Sequence, residues 1–235
     1  MSGELSARLA AVAHYVMPGE SMVDIGTDHA LLPAWLLRSG IVPRAIGVDV
    51  SEGPLRAARR TARSLGGALE VRQSDGFATI QDGEAYTATI CGMGGQTMAS
   101  ILVRGLSSQP GLKRVVLQPQ GAERAVRAAM VSLGWQCTDS AMVEERSKFY
   151  TIECWERGQH AQPWSDADLR WGRVVRKKPD PLFHKMLFKQ LRDAEMAESK
   201  LLRQAPPEHP DAAQLRSLKA FIVQELERLG YKASR

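Results

Sequence analysis

A chain of 235 residues, 44% of them apolar, is long enough to bury a sizeable core, which excludes wholesale disorder. Its 31 basic and 26 acidic side chains leave a formal charge of +5, which permits a polyanionic partner without requiring one. Cys91, Cys137 and Cys154 are scattered, which argues against a zinc site or a disulfide framework, and no apolar run approaches the ~20 residues needed to cross a bilayer. Glu4 and Arg8 interrupt the apolar residues that a secretory signal needs, so the chain reads as soluble and cytoplasmic, with no metal and no membrane.

A leading helix at Leu5–Val16 places Leu5, Leu9, Val12 and Val16 on one face. Five β-rich segments follow: Met22–Ile25, Ala45–Val50, Leu69–Arg72, Ala88–Cys91 and Arg114–Leu117. Helical patterns at Leu31–Ser39, Pro54–Leu65, Gln96–Leu106 and Ala122–Leu133 alternate with them. That spacing predicts βαβ crossovers and a parallel sheet. Next, Gln136–Met142 and Phe149–Trp155 are joined by only Val143–Lys148, too short for a crossover, so they form an antiparallel hairpin. Five parallel strands closed by one antiparallel pair predict the seven-stranded, Rossmann-like α/β sheet of class I methyltransferases.

Gly158–Ser165 reads as a polar connector. Beyond it, Phe183, Leu187, Leu191 and Ala194 form one apolar stripe, and Leu215, Leu218, Ile222, Leu226 and Leu229 form another. Ala205–Pro210 separates the two, its prolines stopping any helix. The expectation is a domain over 1–157 and a small C-terminal helical, coiled-coil-like hairpin over 158–235.

Four loops follow strands and carry the chemistry. In Asp24-Ile25-Gly26-Thr27-Asp28-His29-Ala30, Gly26 lets the backbone approach a ligand. A dinucleotide pyrophosphate would want further glycines where Asp28 and Ala30 stand. Asp28 would repel pyrophosphate but suits a cofactor bearing a sulfonium and an ammonium, so the loop points to S-adenosylmethionine rather than NAD. The other reading is a plain turn with Asp28 as a helix N-cap. Asp49 ends a strand where a carboxylate accepts from ribose hydroxyls, or else caps the next helix. Asp75 in Ser74-Asp75-Gly76-Phe77 is placed to accept from an adenine amine with Phe77 near the base, or is an ordinary Asp-Gly turn. Gly92-Met93-Gly94-Gly95 offers backbone access at a strand's carboxyl end. No Asp/Asn-Pro-Pro-Tyr tetrapeptide, which many methyltransferases use to hold an exocyclic amine, is present, which points to a ring nitrogen or some other target.

Together these loops resemble those of the bacterial tRNA (adenine-22 N1)-methyltransferases, the TrmK family. The resemblance rests also on Leu5-Ser6-Ala7-Arg8-Leu9, Leu117-Gln118-Pro119-Gln120 and Glu144–Tyr150. It implies methylation of adenine N1 in the tRNA D-arm region, with Asp24, Gly26, Asp28, Asp49, Asp75, Gly76, Gly92 and Met93 contacting the cofactor. Asp28 and His29 are the catalytic candidates, because a carboxylate near the target favours the cationic product; the other reading is that Asp28 binds only cofactor and His29 is structural.

For tRNA contacts the candidates are Arg170, Arg173, Arg176, Lys177, Lys178, Lys185, Lys189 and Arg192, a run that otherwise reads as a solvated helical face, with Arg8, Arg56, Arg59, Arg60 and Arg63 as a second patch. Trp164 and Trp171 either stack on bases or pack the appendage onto the sheet. Competing readings are an NAD-dependent oxidoreductase, a small-molecule methyltransferase and a non-catalytic RNA-binding protein with a cofactor fold.

Overall fold

A computed structural model describes residues 4–158 and 162–231. Seven strands form one sheet: β1 (Met22–Ile25), β2 (Ala45–Asp49), β3 (Leu69–Gln73), β4 (Thr87–Cys91), β5 (Arg114–Gln118), β6 (Trp135–Glu145) and β7 (Lys148–Arg157). Their order is β3-β2-β1-β4-β5-β7-β6, with β1 to β5 parallel and β7 antiparallel to both of its neighbours. This is the predicted methyltransferase sheet.

Successive strand residues point to opposite faces, and each face has its own core. Met22, Val116, Ile152 and Cys154 pack beneath α1 (Ala7–His14), α2 (Leu31–Arg38) and α3 (Glu52–Arg63). Val23, Ile25, Val115, Leu117 and Trp155 pack on the other side against α4 (Gly95–Gly105) and α5 (Glu123–Ser132). Coverage on both faces is why β1 has four buried positions out of four instead of an alternating pattern.

The hairpin is longer than its composition implies. β6 and β7 pair through Glu145↔Lys148, leaving only Arg146 and Ser147 in the turn, at φ 50° and 61°. Two left-handed residues in succession match the twist of the strands they join.

Residues after β7 depart from the expected connector. Ser165 and Asp168 form a capping box that starts α6 (Asp166–Trp171), and Gly172 at φ 95° turns the chain into α7 (Arg173–Lys177). Trp164 stacks on Trp155 at 5.4 Å between ring centroids, and Trp171 is buried. Beneath them Arg127 Nε donates to Glu153 Oε1 at 2.7 Å, and Arg127 Nη1 donates to the Leu169 and Arg170 carbonyls. Side chains 2% and 1% exposed make this a buried ion pair, which would be costly without those added bonds. It ties α5, β7 and the end of α6 together. The two compact units are accordingly Met1–Lys178 and Pro179–Arg235, so the division falls after α7 and not at the expected Gly158. Of the expected connector, residues 159–161 lie outside the described residues.

In the second unit, α8 (Pro181–Leu202) and α9 (Pro210–Arg228) are antiparallel: Glu198 pairs with Arg216 and Lys219, while His184 meets Tyr231. Phe183, Leu187 and Ala194 of α8 and Ile222 and Leu226 of α9 are buried, as the stripes predict. Pro210 is the first residue of α9, where its missing N–H costs nothing, instead of belonging to the break. Among the described residues no helix is long and apolar enough to cross a membrane.

Candidate active site at the carboxyl edge of the sheet

Asp24, one residue from the end of β1, is 6% exposed. Its Oδ1 accepts from Thr89 Oγ1 at 2.6 Å and its Oδ2 from Thr27 Oγ1 at 2.8 Å. Burial pushes its carboxyl up to about 6; the two hydroxyl bonds pull the other way, and the charge of Asp49 adds to the rise. At neutral pH a buried anion remains there, short of positive charge, and that suits an ammonium or sulfonium ligand.

The loop above it is tightly folded. Gly26 and Thr27 both donate their N–H to the Val48 carbonyl, at 2.8 and 2.9 Å. Gly26 has φ 75°, and a Cβ there would lie 2.7 Å from Met93 Cε, so both conformation and space require glycine. Asp28 and Ala30 also adopt left-handed backbone, and α2 begins after Ala30 with no side-chain cap. Asp28 is therefore not the helix cap. Its side chain stands in solvent with His29 Nε2 3.5 Å from Oδ1.

Asp49 accepts from Ser51 N–H at 2.9 Å and from Asp28 N–H at 3.4 Å, which links the ends of β1 and β2. Gly76, at φ 61°, lies where a Cβ would meet Ile101 Cγ2 at 2.8 Å. Asp75 pairs with Arg104 at 2.9 Å, both side chains more than half exposed. Such a pair is weak enough to exchange for another partner. Phe77 departs from expectation: it is 3% exposed, in the core against Gly105, and offers no free ring face to a base.

The Gly92–Gly95 turn has two jobs rather than one. Gly92 N–H donates to the Gln118 carbonyl, Gln120 N–H to the Met93 carbonyl, and Gly95 N–H to the Gly121 carbonyl. These bonds bind the turn to the loop after β5. A Cβ at Gly95 would lie 2.2 Å from the Gly121 oxygen, so that glycine serves packing, whereas Gly94 faces open space. Gly92, at φ 77°, faces Arg8, whose Nη1 donates to Gln118 Oε1 at 2.6 Å. Arg8 thus stands over β4, β5 and β7. The α3 arginines lie by β2 and β3, at the other end of the sheet, and Arg59 is paired with Glu52, so they form no common patch with Arg8.

The basic run also divides. Arg173 and Arg176 are joined to Asp168 at 3.2 and 2.5 Å with all three side chains only 13–15% exposed, and Arg173 also covers the Trp164 ring. Both arginines are held in structural pairs. Arg170 is partly buried beside the Arg127 ion pair, while Lys177, Lys178 and Lys185 are exposed and Lys189 pairs with Asp193. Thr27 and Gln118 lie inside sequence motifs without a role assigned to them there, and Thr89 lies in none. Thr89, midway along β4, and Gln118, the last residue of β5, are buried polar side chains in strands that are largely apolar, and that is the signal which identifies them.

Residues 5–152 match the family model for a methyltransferase domain. A tRNA (adenine(22)-N(1))-methyltransferase from Bacillus subtilis (strain 168) is 34% identical over 174 residues, 73% of each chain. The chain belongs to the tRNA (adenine(22)-N(1))-methyltransferase family. Two solved structures extend the likeness through α9. The Bacillus subtilis TrmK structure superposes with a TM-score of 0.81 at 29% identity over 97% of each chain. A candidate tRNA (m1A22) methyltransferase from Streptococcus pneumoniae, in complex with S-adenosyl-L-methionine, gives 0.85 at 30% identity, covering 95% of this chain and 100% of that one. The methyltransferase match ends inside β7, and α6 to α9 lie beyond it.

Proposed function

We propose that this chain transfers the methyl group of S-adenosylmethionine to N1 of an adenine in tRNA, adenine 22 being the position named for its Bacillus subtilis relative. The observation that carries the reading is the buried Asp24 carboxylate beneath an exposed Asp28, at the sheet edge of a chain in this family. When bound, S-adenosylmethionine supplies an electrophilic methyl on a sulfonium. Asp24 and Asp28 provide the anionic surroundings its charged groups need. Asp49 would accept from the ribose hydroxyls, Asp75 could exchange Arg104 for the adenine amine, and Gly26, Gly76, Gly92 and Met93 would shape the wall.

Adenine N1 is a neutral lone-pair nucleophile, so no proton need leave before attack. The chain's contribution is to hold N1 in line with the methyl group, and the Asp28 carboxylate, oriented by His29, favours the positive charge of the product. A base-paired N1 is hidden, so the adenosine must be unpaired or flipped out. Lys177, Lys178, Lys185 and Lys189, with Arg170, supply phosphate contacts. The test is incubation with labelled S-adenosylmethionine and unmodified bulk tRNA, followed by nucleoside mass spectrometry. Labelled 1-methyladenosine is expected; its absence, or methylation of a small metabolite alone, overturns the proposal.

A further inference from the structure

The carboxyl edge of the sheet has a second built feature, on the side away from the acidic loops. Gln118, the last residue of β5, is 0% exposed and yet polar. Its Oε1 accepts twice, from Arg8 Nη1 at 2.6 Å and from Gly92 N–H at 3.2 Å, while its Nε2 donates to the Pro119 carbonyl at 2.9 Å. A buried amide whose only side-chain partner among the described residues is an arginine 110 positions away fixes that arginine's location. The guanidinium also lies over the Tyr150 ring of β7, 5.7 Å from its centroid. The Arg8 backbone N–H reaches Glu145 Oε2 at 3.4 Å, anchoring the start of α1 to the hairpin. Nη1 lies 3.6 Å from where a Gly92 Cβ would be, so the guanidinium borders the turn at ordinary contact distance.

The site's own layout says what this cation faces. Asp24 within β1, Asp28 after it, Asp49 at the end of β2 and Asp75 after β3 assign the cofactor's charged groups to that part of the edge, with Gly92 and Met93 as its far wall, and leave the target nucleoside the part over β5 and β7. Arg8 has five N–H donors and no acceptor, and its bond to Gln118 engages one of them, so the fork can still take a ligand. Two partners are conceivable on the target: a base edge or a phosphodiester. Methylation at N1 makes the adenine ring cationic, and a guanidinium bonded to that ring would oppose the charge that develops there. A phosphodiester anion has no such conflict and matches the guanidinium fork.

We propose that Arg8, held by Gln118 and Tyr150, clamps the phosphodiester adjoining the extruded adenosine and so sets the base against the cofactor. This rests on the tRNA methylation reading and deepens it: Arg8 is a substrate-positioning group, not part of a diffuse basic patch.

The test uses the full chain, with tRNA methylation and tRNA binding measured across a salt series for wild type, Arg8→Lys and Arg8→Ala. S-adenosylmethionine affinity and thermal midpoint are followed in parallel. Arg8→Ala is expected to lower kcat/KM for tRNA at least tenfold. It should also reduce the slope of log affinity against log salt by about one, the signature of one lost phosphate contact. Cofactor affinity should stay within twofold. Arg8→Lys should keep the slope and recover only part of the rate, since a point charge lacks the fork. If Arg8→Ala is poorly folded, Arg8→Lys decides the matter alone: a wild-type rate overturns the clamp. An unchanged salt slope in a folded Arg8→Ala also overturns it and assigns Arg8 to packing. Failure of the wild-type chain to methylate any tRNA would sink the underlying function instead, a result these variants cannot imitate.

Discussion

The two halves of the sheet's carboxyl edge are built with opposite chemistry. Over β1, β2 and β3 stand four aspartates, one of them buried with only hydroxyl partners; over β4, β5 and β7 stand a guanidinium, a buried amide and an aromatic ring. The first half suits a cation and the second an anion. The methyl acceptor is a nucleotide and the donor a sulfonium, so one edge has to receive both and tell them apart. On the proposed placement, charge sign as well as cavity shape would orient the two substrates toward each other.

The largest expected effect tests the acidic half. Asp24→Asn should weaken S-adenosylmethionine binding by about a hundredfold in calorimetry, on the order of 3 kcal/mol, while the ligand-free protein becomes more stable. The sign follows from the pKa. A carboxyl at about 6 in the fold against 3.8 when unperturbed is favoured protonated, so ionising it costs stability as pH rises through that window. The cost is roughly 3 kcal/mol at neutral pH. The same carboxyl makes cofactor affinity of the wild type fall as pH drops below about 6, by up to tenfold per unit. A dissociation constant flat from pH 7 to 5, or a destabilised Asn variant, would break the assignment.

Next comes the seam between the halves. Gly95→Ala should destabilise by about 2–4 kcal/mol, because its Cβ would enter the Gly121 and Ala122 carbonyls, whereas Gly94→Ala should change the denaturation midpoint little. Equal effects at both positions would mean that the two loops are not packed as described. A smaller effect is expected at Asp28→Asn, with turnover down about tenfold, near 1.4 kcal/mol, and tRNA affinity unchanged. Retention of both turnover and cofactor affinity would remove Asp28 from either role. The smallest should come from Lys177→Gln with Lys178→Gln: a salt slope lower by at most about two and a few-fold weaker tRNA binding. No change in slope would move the RNA surface elsewhere.

Most of the catalytic sheet was legible because its signals are local. Apolar runs bounded by glycine and aspartate located β1 to β5 to within about two residues, and the short β6–β7 link forced an antiparallel pair. The turn itself was not legible, since Arg146-Ser147 lacks the Asn-Gly chemistry that marks two left-handed residues. The short helices α6 and α7 had one local sign, the Ser165–Asp168 box, and it was obscured by the proline-containing run before it. Phe77 looked like a base platform because it follows Asp-Gly; what sends it inward is Gly105, 28 positions later, which leaves room for the ring.

By itself the sequence determined the order of strands and helices, the glycine at 26 and the carboxylates that favour a sulfonium cofactor. Each depends on a residue and its near neighbours, through periodicity or backbone conformation. Only the tertiary structure decided that Asp24 is buried while Asp28 is exposed and that Asp168 holds Arg173 and Arg176. It alone set the unit boundary after Lys178 and brought Arg8 onto Gln118. Those outcomes turn on which charges lose their water and which partners they meet, and desolvation is a property of the packed sheet, not of a stretch of chain.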